Sequence, residues 1–239
     1  MKVVYSRTAK IVFQDNELVT KEHYDDYFEN SFTEYQKIVK LHEIYGEYSL
    51  DGWTYKSIKA LSYHNGKIIM KLAPGISSDK LLNKPHLFYH IGIWLGHFHN
   101  IEIIRINSYL YGDISIQHLF LDEERKIVTS IDPGLNFLSK KGYKEIDVSR
   151  VMLTIFNASL KKFKLPKKPL DFFIDGYLSE IKDSVDYSAF TFSIDKVSND
   201  YSNKKRWKSI IKKIMIKLYL ILFRYYSSER FKKNWTRSK

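Results

Sequence analysis

Apolar and polar positions alternate with a short period through the first quarter of the chain. VVYSR, AKIVFQ and ELVTKEH are rich in β-branched residues, and Asp15-Asn16 separates the second run from the third as a hairpin turn, so the pattern predicts three short strands. The period then lengthens. Ser31-Phe32-Thr33-Glu34 has the form of a capping box, and Phe32, Tyr35, Ile38 and Val39 follow at helical spacing, which predicts a helix over about 31–43. KSIKALSYH and KIIMKLA flank Asn65-Gly66, a strong hairpin signal, and Pro74-Gly75 ends the second of these strands.

Beyond Ser77 the pattern becomes mainly helical. SSDKLL is a short capped segment, and HLFYHIGIWLGHFHNI has the apolar content of a buried helix. Two β-like pieces, HLFLD and KIVTSID, interrupt it around the polar turn Glu123-Glu124-Arg125. Helices are predicted again at about 145–163 and 168–184, the latter behind Pro166 and Pro169. This order of strands with one helix, a Pro-Gly hinge and then mostly helix predicts an α+β fold in two lobes. The divisions expected are 1–73, 74–203 and a tail at 204–239.

Charge sharpens this division. The chain of 239 residues carries a net charge of +12. Residues 204–239 hold thirteen of the 39 Lys and Arg and a single acid, Glu229, which leaves 26 charges of each sign in residues 1–203. A neutral body with a basic appendage is the layout of a catalytic or binding domain with an electrostatic anchor, and argues against nucleic acid as a partner. The chain has no cysteine, which excludes disulfides and thiolate zinc sites. With no apolar signal segment after Met1, the expected compartment is the cytoplasm.

The candidate chemistry sits in YGDISIQHLFLD, residues 111–122, followed by IDPG at 131–134. The pair resembles the catalytic loop and metal-binding turn of the protein-kinase-like superfamily, H-[GR]-D-x4-N and then hydrophobic-D-[FP]-G. Phosphoryl transfer develops charge on oxygens, so it needs carboxylates for a hard cation and a positioned acceptor for the attacking hydroxyl. The resemblance implies a two-lobed kinase-like fold, with ATP and Mg²⁺ as cofactors. It makes Asp113 the catalytic aspartate and Asp132 a magnesium ligand, with His118 at the position of the second metal ligand, where most of the superfamily has Asn. A D-x4-H pattern is also similar to that of the lipopolysaccharide core sugar kinases, so the acceptor it implies is a sugar hydroxyl on a glycolipid.

Upstream, Lys21 on the third strand and Glu34 on the first helix match the order of the Lys–Glu pair that positions phosphates in this superfamily; Lys10 is the competing lysine. Lys71 to Ala73 match the hinge whose backbone binds adenine. Asp147 resembles the helix aspartate that steadies the catalytic loop. In place of a glycine-rich phosphate loop the first hairpin has Ser6-Arg7-Thr8, and Tyr111 stands where a histidine is usual. These departures, with His118, support a second reading in which the chain is a catalytically silent scaffold.

Residues 204–226 place Trp207, Ile210, Ile211, Ile214, Met215, Leu218, Ile221 and Leu222 on one helical face, within an arc of about 140°. Lys208, Lys212, Lys213, Lys217 and Arg224 lie on the other side. The uninterrupted apolar run is too short to span a bilayer, which needs ~20 residues. The expected role is an interfacial helix on anionic lipid, which holds the protein at the inner face of the cell membrane. The alternative is a final helix packed on the C-terminal lobe.

Overall fold

The computed structural model describes residues 2–6, 8–14, 17–112, 114–133, 137, 141–162, 166–183, 186–204, 221, 223–225 and 229. Strands β1 (Lys2–Tyr5), β2 (Ala9–Gln14) and β3 (Leu18–His23) form an antiparallel meander. Helix α1 (Phe28–Tyr45) follows. Strands β4 (Glu47–Leu50), β5 (Trp53–Ser57), β6 (Ala60–His64) and β7 (Lys67–Lys71) come next. The first sheet has the order β1-β2-β3-β7-β6. Its β6–β7 turn has Asn65 at φ 44 and Gly66 at φ 74, the left-handed pair that an Asn-Gly hairpin supplies. The Asp15-Asn16 turn lies outside the described residues.

The stretch KSIKALSYH does not make one strand. Lys56-Ser57 ends β5, and β6 begins three residues later in the other sheet. β5 instead runs parallel to β10, so the second sheet has the order β4-β5-β10-β9-β8. Its remaining members are β8 (Ile76–Ser77), β9 (Leu119–Asp122) and β10 (Ile127–Ser130). Gly75, at φ +85, joins the sheets at β8: a Cβ there would meet the backbone of Leu121, so the position needs glycine for space as well as conformation.

The C-terminal part is built on α2 (Phe88–Asn100), α3 (Glu102–Asn107), α4 (Glu145–Lys161), α5 (Lys167–Glu180) and α6 (Tyr187–Lys204). α2 and α5 cross in close contact because Gly92 faces the backbone of Phe173 and Gly176 faces that of Tyr89. The main core fills the space between these helices and the second sheet, with Trp94, Phe98, Tyr111, Phe173 and Phe190 fully or almost fully buried. α6 is held by Phe190, Ile194 and Val197, whose helical spacing is diluted by serine, threonine and aspartate; the apolar pattern alone does not announce it.

The helix over 31–43 begins earlier than its capping signal. α1 starts at Phe28, and Ser31 lies one turn inside it, buried, with its hydroxyl donating to Phe28 O at 2.5 Å. The Ser31/Glu34 capping box therefore does not form, and Glu34 is free for another role.

Candidate active site

That role is in the cleft between the sheets. Ile11, Val19 and Met70 from the first sheet, with Phe120 and Ile131 from the second, wall a cavity of ≈ 220 Å³ that Lys21, Glu34 and Asp132 also line. β3 presents Lys21 inward, and its Nζ lies 2.5 Å from Glu34 Oε1 and 3.9 Å from Asp132 Oδ2. Burial opposes the lysine's charge, but the carboxylates of Asp132 and Glu34 outweigh it and lift the ammonium above its usual range. Burial likewise works against the Glu34 charge, yet the His23 hydrogen bond and the Lys21 charge hold the carboxyl below the usual range. Both residues are thus charged at neutral pH. Lys10 pairs elsewhere, with Glu22 at 3.4 Å.

Glu34 also takes a bond that the sequence did not single out, from His23 Nε2 to Oε2 at 2.9 Å. The signal available was the K-x-H spacing, which puts residues 21 and 23 on one face of a strand; their meeting on a carboxylate depends on how α1 packs.

Asp132 follows β10 with φ 56, a left-handed conformation uncommon for a side chain other than glycine. It is 42% exposed. Strain of this kind is retained where surrounding structure over-determines it, often at functional sites. Here the Ile131 N–H donates to His118 O at 2.7 Å, and the Tyr111 hydroxyl donates to Ile131 O at 3.3 Å. Tyr111 is buried against Trp94, Phe98 and Phe137, and burial pushes its phenol up, so it serves as a neutral brace.

Asp147, fully buried on α4, accepts from the backbone N–H of Tyr111 at 2.7 Å and of Gly112 at 3.3 Å, and lies 3.4 Å from His99 Nε2. It holds the backbone immediately before residue 113. Asp113 itself lies outside the described residues, as does Gly134 of the IDPG turn.

The segment Lys71 to Ala73, expected to be the adenine-binding hinge, has fewer amides to offer than its three residues imply. Lys71 N–H donates to Lys59 O at 3.0 Å and Leu72 N–H to Glu17 O at 2.6 Å, so both amides are engaged within the protein. Ala73 makes no such bond, and the next residue is proline. Among the described hinge residues, Ala73 has the amide left to offer a ligand. At the first hairpin, Ser6 Oγ accepts from Ala9 N–H at 3.0 Å and from Thr8 N–H at 3.4 Å. Amides that a phosphate loop presents are there used by a serine; Arg7 lies outside the described residues.

For magnesium, Asp132 lines the cavity and is open to it, whereas His118, whose Nδ1 is buried without a hydrogen-bond partner, is not among the described residues that line it. Among the described residues no three His, Asp or Glu side chains gather as a self-sufficient cage. Magnesium usually keeps several waters and is completed by substrate phosphates rather than held in an all-protein cage.

No family model matches the chain, and no curated protein matches it. Among the solved structures that share its fold are two phosphotransferases. The streptomycin–ATP ternary complex of APH(2'')-IIa superposes with a TM-score of 0.57 at 14% identity, covering 96% of this chain and 92% of that one. The ADP-bound aminoglycoside phosphotransferase APH(2'')-Ib does so at 0.50 and 10%, covering 96% and 93%. The chain has the α+β, two-lobed protein-kinase-like fold of these phosphotransferases.

Proposed function

We propose that the protein is an ATP-dependent kinase that phosphorylates a hydroxyl, on a sugar of a membrane-associated glycan such as a lipopolysaccharide core. The observation that carries the reading is Lys21 set between Glu34 and Asp132 beside an apolar cavity of ≈ 220 Å³. An ammonium held by one buried carboxylate and facing a second, more open one suits phosphate oxygens with a divalent cation. Two phosphotransferases of the same fold were solved with ATP or ADP, which supports the nucleotide.

In this account the apolar walls take adenine, with Ala73 at the hinge. Lys21 binds phosphate oxygens, and Glu34 fixes the lysine's position. Asp132 and His118 would hold magnesium, which supplies charge neutralisation to the phosphates when bound. Asp113, by its place after Gly112, orients the acceptor hydroxyl and takes its proton, while Asp147 steadies that loop from behind.

The acceptor is argued from chemistry and sequence. The streptomycin in one neighbour supports a small polyhydroxylated acceptor, and the D-x4-H pattern supports a glycan. The tail supports the membrane. Most of residues 204–226 lie outside the described residues, but Phe223 is fully buried, its ring centroid 5.5 Å from that of Phe156, and Arg224 Nε is 3.0 Å from Asp195 Oδ1. Ile221 and Tyr225, one helical turn apart, are 57% and 70% exposed. Ile221 belongs to the apolar stripe of the tail, so at this point the stripe looks outward while Phe223 looks inward. In this reading the apolar stripe, most of it outside the described residues, is what meets the inner face of an anionic membrane. No described helix is long and apolar enough to cross a membrane.

Transfer of labelled phosphate from ATP tests the reading, with core glycolipids, free sugars and aminoglycosides as acceptors and Asp113→Asn as control. Labelling of the glycolipid by the wild type alone supports it; labelling of an aminoglycoside alone replaces the acceptor. The use of the Thr8 and Ala9 amides by Ser6 favours the scaffold as second reading. That reading requires no nucleotide binding at all.

A further inference from the structure

His23 is almost fully buried, its side chain 2% exposed, and both of its ring nitrogens face acceptors. Nε2 lies 2.9 Å from Glu34 Oε2, and Nδ1 lies 3.1 Å from Gly66 O. A carboxylate that also binds Lys21 accepts and does not donate, and a backbone carbonyl only accepts. Both contacts are therefore complete only when both nitrogens carry protons. The same turn is tied to α1 a second time: Gly66 N–H donates to the Tyr63 hydroxyl at 3.3 Å, and that oxygen lies 2.9 Å from Ser31 Oγ. Phe28 from the start of α1 covers Gly66, whose missing Cβ makes room for the ring.

Glu34 is thus gripped from two sides. Lys21 holds Oε1, and the β6–β7 turn holds Oε2 through His23. We propose that His23 is a positioning residue for the phosphate lysine: it latches Glu34, and with it α1, to the Gly66 turn, and so fixes the orientation of Lys21. The inference rests on the nucleotide-site reading of Lys21 and Glu34.

The charged neighbours are few. Glu34 faces the ring from α1, with Lys21 beyond the same carboxylate and Asp132 beyond the lysine. Lys10, Glu22 and Lys67 pair with one another around residue 22, on the opposite face of the strand.

The test uses the full chain, with His23→Gln, which keeps one donor group, and His23→Asn as a second variant should the first fold poorly. Two quantities are measured: amide hydrogen exchange of residues 28–45 without ligand, and the dissociation constant of Mg-ATP. In His23→Gln, α1 protection and Mg-ATP affinity should both be weaker than in the wild type by about tenfold, as for loss of a hydrogen bond to a charged group. In a Glu34→Gln background the second substitution should leave α1 protection unchanged.

Equal α1 protection in wild type and variant overturns the latch. If the wild type binds no Mg-ATP, the nucleotide reading fails separately, and α1 exchange alone decides whether His23 holds the helix.

Discussion

Lys21 on β3 and Asp132 beyond β10 bring their charged atoms to 3.9 Å of one another across the cleft, although they belong to different sheets. The contact is too long for a strong ion pair, and Asp132 remains 42% exposed. Two further charged groups fit this arrangement: phosphate oxygens toward Lys21, and a cation toward Asp132.

Replacing Lys21 by Met should lower kcat/KM by ~100-fold or more, since the charge that meets the phosphates is removed. Glu34→Gln should weaken activity less, because the ammonium remains but is held on fewer contacts. Steady-state kinetics against ATP concentration checks the order. Equal activity in Lys21→Met and wild type would place the phosphates elsewhere.

Stability should respond to acid through Glu34. Its carboxyl is held below the ordinary value of 4.5, so the stabilisation is fully present above about pH 4.5 and is lost as pH falls through the lower folded value. Lys21 is raised above 10.5, so its contribution is full below that value and disappears as pH rises through the folded one. Urea midpoints of wild type and Glu34→Gln should differ by a constant amount near neutral pH and converge in acid. Parallel curves down to the lowest pH would show that the pair adds nothing.

Asp147→Asn leaves one backbone N–H of the Tyr111-Gly112 segment facing an amide in a fully buried site. The expected cost is ~1–3 kcal/mol of stability, with a fall in kcat and little change in Mg-ATP affinity. Denaturant unfolding together with kinetics measures both; a fall in affinity as large as the fall in kcat would contradict a role confined to the loop.

His118→Asn exchanges an imidazole nitrogen for an amide oxygen. Nitrogen favours borderline metals such as Mn²⁺, and oxygen favours Mg²⁺. The wild type should bind nucleotide more tightly with Mn²⁺ than with Mg²⁺, and the variant should narrow or reverse that preference in calorimetric titration. An unchanged ratio would remove His118 from the metal's surroundings.

At the tail, Phe223→Ala should destabilise the protein by about 3 kcal/mol through the cavity left beside Phe156. Ile221→Asp, at an exposed site, should leave stability unchanged but weaken co-sedimentation with vesicles of anionic lipid. Vesicle binding that survives this change and high salt would speak against a lipid-facing stripe.

Much of this site is readable from sequence because its carriers are local. IDPG and the YGD loop each fall within a few residues, and Asn65-Gly66 specifies a hairpin by its own backbone preferences. Lys21 and Glu34 could be placed by order along the chain. What pairs across distance was not legible. β5 joins β10 in parallel, His23 acquires its meaning only when α1 and the Gly66 turn close around it, and Ser31 reads as a cap although α1 begins three residues earlier. Nor does the sequence show that the carbonyls of Lys59 and Glu17 occupy the amides of Lys71 and Leu72.

The central claim is a nucleotide site completed by a divalent cation at Asp132. Thermal unfolding of wild type and Asp132→Asn, with ATP in the presence and absence of Mg²⁺, tests it most directly. A ligand at ~100 times its dissociation constant stabilises the native state by ~2.7 kcal/mol. The account predicts stabilisation of this size that requires Mg²⁺ and is lost in Asp132→Asn. No shift at millimolar ATP, or an equal shift in the variant, would contradict it.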